Sequence, residues 1–242
     1  PVVNFFVFLA LPFMSTIYLA IYENTIKDHG HVDCIINNAG VASTASIEEI
    51  RYEDFNWVFN IVFYGVLYGT KAFLPHLKQR SDAHIVNISS VNGFVATPRN
   101  GAYACAKHAV KALNQTLQQE LRNTSVNVTS VHPGGVKTNI ARNARSYDSK
   151  EVHQEQIVSF DQIAGTSAEK AASIIIKGIL KNRKRQLVGF DAIVIDGEFD
   201  PWVAMDHRVA TKMKRTSFPR IAFNSLSRIK ENSGGSIKKL KI

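Results

Sequence analysis

Cysteine is scarce in this chain, with two residues, Cys34 and Cys105, among 242. So few cysteines exclude the disulfide framework on which small secreted domains rely. Cys34 lies in a short apolar run that predicts a buried strand, and Cys105 lies in a predicted helix, so we interpret both as packing residues. The lack of a disulfide framework fits a reducing compartment, and we expect a cytoplasmic location.

Glycine is missing from the first 29 residues, since Gly30 is the first in the chain. The same region carries no charge from Phe5 to Tyr22, a length of 18 residues that is just long enough for a membrane span. A proline and two hydroxyl residues interrupt this stretch, and no basic residue precedes it. We therefore favour a strand over Val2–Leu11 and a helix that begins at Ser15 or Thr16, with a membrane segment as the less favoured alternative.

Acidic residues are outnumbered, with 20 Asp and Glu against 29 Lys and Arg and a formal net charge of +9. The basic residues cluster late in the chain, at Lys181–Arg185, Lys212–Arg215 and Lys238–Lys241. No aromatic residues interleave with these clusters and the sequence has no nucleic-acid-binding motif, so we expect no nucleic-acid partner. We expect one domain over residues 1–211 and a basic, poorly ordered tail over 212–242.

The most informative stretch runs from Ile85 to Lys107. It begins with a short apolar run that is rich in β-branched residues, which predicts a buried strand. Ser90 ends that strand, a loop follows, and Tyr103 and Lys107 lie one turn apart at the start of a predicted helix. A hydroxyl, a phenol and an ammonium suit proton transfer to or from an alcohol or carbonyl oxygen, because the ammonium lowers the pKa of the phenol. Each feature alone is common by chance, and a serine pair is often only a cap.

The spacing of the three residues is S-x12-Y-x3-K, which resembles the pattern of the classical short-chain dehydrogenase/reductase family. Two further motifs also resemble that family, and they read Asn37-Asn38-Ala39-Gly40 and His132-Pro133-Gly134-Gly135-Val136-Lys137-Thr138. All three follow one another in the family's order and at similar separations. The similarity covers roughly Ile17 to Phe190.

The resemblance implies a doubly wound, Rossmann-like α/β fold, with a parallel sheet and helices on both faces. It implies an NAD- or NADP-dependent oxidoreductase that interconverts a small alcohol and a ketone or aldehyde. Tyr103 would be the acid/base, Ser90 would orient the substrate oxygen, and Lys107 would lower the Tyr103 pKa and hold the cofactor ribose. The implied cofactor-binding residues are Asn38, Ala39, Gly40, Tyr103, Lys107, Pro133, Gly134, Val136 and Thr138, and no metal is implied.

The chain departs from the family in two ways. The sequence has no T-G-x-x-x-G-x-G turn, the motif in which backbone and helix terminus hold the cofactor pyrophosphate. We therefore expect the amino-terminal portion of the fold to be truncated, and binding of NAD or NADP to be weakened or lost. Aligning the segment on Gly65 puts Val62 where the family has an Asn that holds a water in a proton relay. An inactive scaffold of the same fold is the alternative function.

Several predictions concern the rest of the chain. Two long predicted helices, Tyr52–Lys78 and Gly101–Leu121, are apolar on more than one face, which together with the resemblance predicts a homo-oligomer. Asn139–Gly165 corresponds to the variable substrate loop of the family. Ser167–Leu180 predicts an amphipathic helix, and Asp191–Trp202 predicts a hairpin or turn.

Overall fold

The computed structural model describes residues 5–8 and 15–199 of the chain. Its strands are β1 (Phe5–Phe8), β2 (Cys34–Asn37), β3 (Ser43–Thr44), β4 (Ala83–Ile88), β5 (Val126–Pro133), β6 (Arg145–Ser146) and β7 (Arg185–Val188). Its helices are α1 (Ser15–His29), α2 (Tyr52–Phe59), α3 (Gly65–Leu77), α4 (Gly101–Glu120), α5 (Lys150–Ile163), α6 (Ala168–Ile179) and α7 (Phe190–Phe199). The proposed tail over 212–242 lies outside the described residues.

The main sheet has five parallel strands in the order β1-β2-β4-β5-β7, and a separate two-stranded parallel sheet joins β3 to β6. Successive side chains on a strand point to opposite faces, so Ile35 and Ile85 belong to one core while Cys34 and Val86 belong to another. Residues of α1, α3 and α4 pack on the first face, and residues of α6 pack on the second. The predicted α/β fold, with a parallel sheet covered on both faces, is confirmed.

The uncharged segment near the amino terminus is divided between a strand and a helix. Phe5–Phe8 pairs with β2, and α1 begins at Ser15, while residues 9–14 lie outside the described part of the chain. Gly30 has a φ of 76°, and its N–H bonds the carbonyl oxygen of Ile26. This left-handed residue ends α1.

One continuous helical segment runs from Tyr52 to Leu77, as the sequence predicts, but its middle is not α-helical. Asn60–Tyr64 forms a π-helical turn, in which the N–H of Gly65 bonds the carbonyl oxygen of Asn60. Among the described residues, this segment alone is long and apolar enough to cross a membrane, by length and composition only. Half of that apolar window is buried against the rest of the fold, as in a core helix of a globular domain.

In the later part of the chain, one helix was not predicted and another contradicts a prediction. The segment Asn139–Gly165, which corresponds by resemblance to the family's substrate loop, contains α5, which begins where the Ser149 hydroxyl accepts a hydrogen bond from the N–H of Val152. The segment after β7 forms α7 rather than a hairpin, and Gly189 turns the chain into it with a φ of 102°. The predicted amphipathic helix is confirmed as α6, with Ser167 as its N-cap.

Candidate active site

The candidate site lies where the carboxyl end of β4 meets the first turns of α4. The fully buried strand β4 ends at Ile88, and the chain then runs through Ser90 into a short 3₁₀ turn over Val91–Gly93. Ligands of open parallel sheets bind at this edge. Tyr103 and Lys107 face the same edge from α4, so the structure brings the three predicted catalytic residues together.

Ser90 is held by contacts on its hydroxyl. Its backbone is extended, and its Oγ accepts a hydrogen bond from the N–H of Asn92 at 3.1 Å. The hydroxyl also lies 3.5 Å from the carbonyl oxygen of Pro133 and hydrogen-bonds the phenol of Tyr103. The hydroxyl and phenol therefore share one small region in which a substrate oxygen could be bound by both.

Lys107 is buried and lies beside Tyr103. Its ammonium is 5.4 Å from the centre of the Tyr103 ring and donates to the carbonyl oxygen of Ile88 at 2.7 Å. Burial lowers the pKa of Lys107 to about 7. Burial also raises the pKa of Tyr103 to about 12, although its hydrogen bond with Ser90 acts in the opposite direction. The expected lowering of the phenol pKa by Lys107 is therefore not found, because desolvation dominates and the ammonium bonds a carbonyl instead.

Gly40 faces the ammonium of Lys107. A Cβ added at Gly40 would lie 3.9 Å from Lys107 Nζ, so the position is open to a group that lies against the backbone. Asn38 and Gly40 are exposed and Ala39 is half-buried. The first asparagine of the motif, Asn37, is buried and bonds the side chains of Asn87 and Thr70, which ties β2 to β4 and α3. The Lys107 ammonium and the exposed backbone at Gly40 therefore face each other at this corner of the sheet.

The Pro133–Thr138 loop is fixed by later parts of the chain. Gly134 donates to the carbonyl oxygen of Val188, and Val136 pairs with Thr166. Thr138 is exposed, and its hydroxyl accepts the N–H of Ile140 at 3.5 Å. The loop runs beside the trio, because the carbonyl oxygen of Pro133 faces the Ser90 hydroxyl.

Asp191 is a site residue that the sequence did not indicate. Its carboxylate accepts the N–H of Gly135 at 2.5 Å, and a Cβ at Gly134 would overlap it. The sequence placed Asp191 in a turn, so no signal connected it to a loop 56 residues earlier. Asp191 therefore holds the loop at Gly135, two residues after the Pro133 carbonyl that faces Ser90.

Val62 lies in the π-helical turn and is fully buried among apolar neighbours, which include Val58, Ala102 and Ala106. π-helical turns are rare and occur often at functional sites. The helix thus keeps an unusual backbone at the position where the sequence carries Val in place of the expected Asn. An apolar side chain there cannot hold a water.

Known proteins are similar in sequence to this chain over most of its length. A family model described as short chain dehydrogenase matches residues 16–149. A Mycobacterium tuberculosis (strain CDC 1551 / Oshkosh) protein named as an oxidoreductase, SadH, is 40% identical over 181 residues, which are 74% of this chain and 65% of that protein. The oxidoreductase BOA17 of Botryotinia fuckeliana is 34% identical over 179 residues, 70% of this chain and 65% of its own length. The chain thus spans about 65% of the length of these curated relatives.

Among solved structures, a short chain dehydrogenase/reductase from Burkholderia phymatum in complex with NAD resembles this fold with a TM-score of 0.68. It shares 26% of its sequence with this chain, and the match covers 85% of this chain and 76% of that one. A short-chain dehydrogenase from Streptomyces avermitilis has the same fold, with a TM-score of 0.67 over 84% of this chain and 78% of its own, at 24% identity.

Proposed function

Because the chain belongs to the short-chain dehydrogenase family, we propose that it supports NAD- or NADP-dependent interconversion of an alcohol and a ketone or aldehyde. The observation that carries this proposal is the meeting of Ser90, Tyr103 and Lys107 at the carboxyl edge of the sheet. The proposed substrate is a small molecule that carries a hydroxyl or carbonyl group. We also propose a cytoplasmic location and a homo-oligomeric assembly, without a nucleic-acid partner.

Each residue of the trio has a separate role in the proposed reaction. Ser90 donates a hydrogen bond to the substrate oxygen and fixes its position. Tyr103 takes the proton that the alcohol oxygen loses in oxidation, or supplies the proton that the carbonyl oxygen gains in reduction. Burial keeps the pKa of Tyr103 high, and a protonated Lys107 beside the ring would act against that effect; the Lys107 pKa near 7 allows either charge state at neutral pH.

The bound nicotinamide would supply the hydride acceptor or donor. Gly40, Lys107 and the Pro133–Thr138 loop would hold its riboside end, because they surround the same corner of the sheet as Tyr103. Asn38 and Ala39 would lie along the adenosine side. The sequence supplies no Gly-rich turn for the pyrophosphate, so we propose that this chain binds either cofactor weakly.

Turnover of simple alcohols and ketones tests the proposal. Tyr103→Phe should abolish activity while leaving the fold intact, because it removes one hydroxyl and keeps the ring. The assay should include a version that carries an amino-terminal Gly-rich turn, since weak cofactor binding alone could hide activity. Activity that survives Tyr103→Phe would remove Tyr103 as the acid/base.

A second candidate function is an inactive scaffold of the same fold, which Val62 favours. Titration of the chain with NADH and NADPH, followed by fluorescence, separates the two. Millimolar or weaker binding, together with no turnover even in the extended version, would favour the scaffold. Low-micromolar binding to the chain itself would contradict the proposed weakness and imply another phosphate-binding element.

A further inference from the structure

Five buried polar side chains form a row that crosses the sheet and ends at the backbone of Ser90. Their hydrogen bonds run Asn37–Asn87 at 2.7 Å, Asn87–Asn114 at 2.6 Å, Asn114–Ser130 at 2.9 Å, Ser130–His132 at 2.8 Å and His132–Ser90 at 3.2 Å. The row begins in β2, passes through β4 and α4, and returns along β5 to the segment Ser89–Phe94 after β4, which we call the catalytic loop. It links Asn37 to the backbone carbonyl oxygen of Ser90.

Every hydrogen bond of the row is donated toward Ser90. The carbonyl oxygen of Ser90 can only accept, so Nδ1 of His132 carries the proton and donates it. Nε2 of the neutral ring must then accept, and the Ser130 hydroxyl donates to it. The Ser130 oxygen in turn accepts from the amide of Asn114. One tautomer of His132 satisfies the whole row.

Burial makes this arrangement costly to disturb. Asn87 and Asn114 are 0% exposed and His132 is 1% exposed, so an unpaired partner would have no water to replace the lost bond. Burial lowers the pKa of His132 to about 3. The charges of Arg185, Lys111 and Lys107 act in the same direction, while the hydrogen bond with Ser90 opposes it. His132 is therefore neutral over the physiological range.

At the end of the row, the backbone carbonyl oxygen of Ser90 accepts two hydrogen bonds. The carbonyl oxygen of Ser90 accepts the N–H of Gly93 at 3.0 Å as well as the His132 ring. The ring of Phe94 stacks on His132, with centroids 4.4 Å apart. The peptide after Ser90 is thus fixed from within the loop and from β5.

We propose that His132 is a positioning residue, which holds the Ser90 carbonyl so that the Ser90 hydroxyl stays directed at Tyr103. The effect of His132 on catalysis rests on the proposed function, whereas its effect on the conformation of the loop does not. A histidine that only filled the core would leave the catalytic loop unchanged when its donor is removed and its volume is kept.

The tautomer is tested in the full chain by ¹⁵N NMR of labelled histidine. His132 should give the pattern of a neutral ring that is protonated at Nδ1, without titration between pH 5 and 8. A proton at Nε2, or titration within that range, would overturn the proposal. Ser130→Ala should allow a mixture of tautomers, and Ser130→Thr should restore the single one.

The position of Ser90 is tested by amide hydrogen exchange. His132→Phe keeps a ring and loses the donor, whereas His132→Asn keeps a donor near the Nδ1 position. Exchange at Asn92 and Gly93, whose amides bond Ser90, should be about tenfold or more faster in His132→Phe and close to wild type in His132→Asn. The amide of Ile85 in β4 is the control for global opening. Equal exchange in all three proteins would overturn the proposal.

If His132→Phe does not fold, the exchange comparison is made with Ser130→Ala and Ser130→Thr, with the same expected contrast. In the version that carries the amino-terminal Gly-rich turn, His132→Phe should lower kcat by about tenfold or more with little change in KM. His132→Asn should keep most of the wild-type kcat. If His132→Phe speeds amide exchange in the loop but leaves kcat unchanged, the proposed role of His132 in catalysis is overturned. Absence of turnover in the wild type would instead count against the proposed function, and the NMR and exchange results would still decide the role of His132 in the loop.

Discussion

The ammonium of Lys107 donates a hydrogen bond of 2.7 Å to the backbone oxygen of Ile88, the last residue of β4. Lys107 is 3% exposed, and this bond to a neutral carbonyl does not offset the cost of burying a charge. Its pKa therefore falls to about 7. The bond fixes the lysine beside Tyr103, and the lowered pKa makes its charge sensitive to pH in the neutral range.

This relationship predicts a pH dependence of stability. Because the folded pKa is below the value of 10.5 in the unfolded chain, only the unfolded chain binds the extra proton between about pH 7 and 10.5. The free energy of unfolding should rise with pH across that window, by at most about 4–5 kcal/mol over its whole width. Below pH 7 the lysine is protonated in both states, so this contribution should be constant.

Urea unfolding of wild type and Lys107→Met between pH 6 and 9.5 measures the effect. Methionine keeps an unbranched apolar side chain and removes the titrating group, so the other groups cancel in the difference. The difference should be flat up to about pH 7 and then move in favour of the wild type. Parallel curves for the two proteins across the whole range would show that Lys107 keeps an ordinary pKa.

The central part of the site could be predicted from sequence because its geometry is local. A strand, a short loop and a helix connect Ser90 to Lys107, and the parallel sheet fixes which edge the strand ends on. The three motifs each follow a strand of that sheet, so the corner that holds Gly40, Ser90 and Pro133 followed from the order of the elements. The spacing of Tyr103 and Lys107 on one helical face sufficed for the rest.

The features that sequence did not predict depend on contacts between distant residues. Asp191 reaches Gly135 only because β7 pairs with β5, and Asp54 receives partners from more than 90 residues away. The π-helical turn is a change of backbone hydrogen bonding over Asn60–Tyr64, in which the N–H of Gly65 bonds Asn60, and the residue types there do not indicate it. The pKa of Tyr103 likewise depended on burial, which the motif does not encode.

The segment Asn139–Gly165 is attached to α2 through Asp54. This carboxylate is 1% exposed and accepts bonds from Arg145 at 2.7 Å, Tyr147 at 2.6 Å and Arg51 at 2.7 Å. The hydrogen bond from Tyr147 is the largest of the effects that lower the pKa of Asp54 to about 2. Its contribution to stability is therefore present above pH 4 and lost as the pH falls through about 2.

Asp54→Asn should lower the free energy of unfolding by about 1–3 kcal/mol at pH 7, less than a fully buried pair, because both arginines are partly exposed. It should also speed tryptic cleavage at Arg145, since the segment loses its anchor. Asp161→Asn is the matched control, because the Arg142–Asp161 pair on the same segment is exposed and should change stability by less than about 1 kcal/mol. Equal effects of the two variants would show that Asp54 is not the anchor.

Val62 offers a test of the missing relay residue. Val62→Asn places an amide in an apolar site, which should lower the free energy of unfolding by about 1–3 kcal/mol. In the version that carries the amino-terminal Gly-rich turn, the same change should raise turnover, because an amide can hold a water in the cluster beside Tyr103 and valine cannot. Val62→Leu, which changes the size of the side chain but adds no polar group, should not raise it. Turnover that stays unchanged in Val62→Asn would mean that the proton leaves the site by another route.

We expect copies of the chain to assemble through a row of aromatic rings along the segment Tyr52–Leu77. Consecutive rings lie 5.3–6.2 Å apart, and the row consists of Phe55, Phe59, Phe63, Tyr64 and Tyr68. Tyr64 is 38% exposed and the other four are partly exposed. On α4, by contrast, Ala104 and Leu117 are buried within the chain itself, so the aromatic row is the stronger candidate for a contact surface.

A surface of this kind is typical of a symmetric contact between copies, since contiguous apolar patches on a monomer are usually covered. We expect a dimer or tetramer by light scattering at micromolar concentration. Tyr64→Glu should dissociate it, because a charge would be buried at the centre of the row. Tyr52→Glu is the matched control: Tyr52 begins the same segment, is 85% exposed and stands outside the row, so this variant should assemble normally. A monomer mass for the wild type across a dilution series would show that the aromatic row is not a contact between copies.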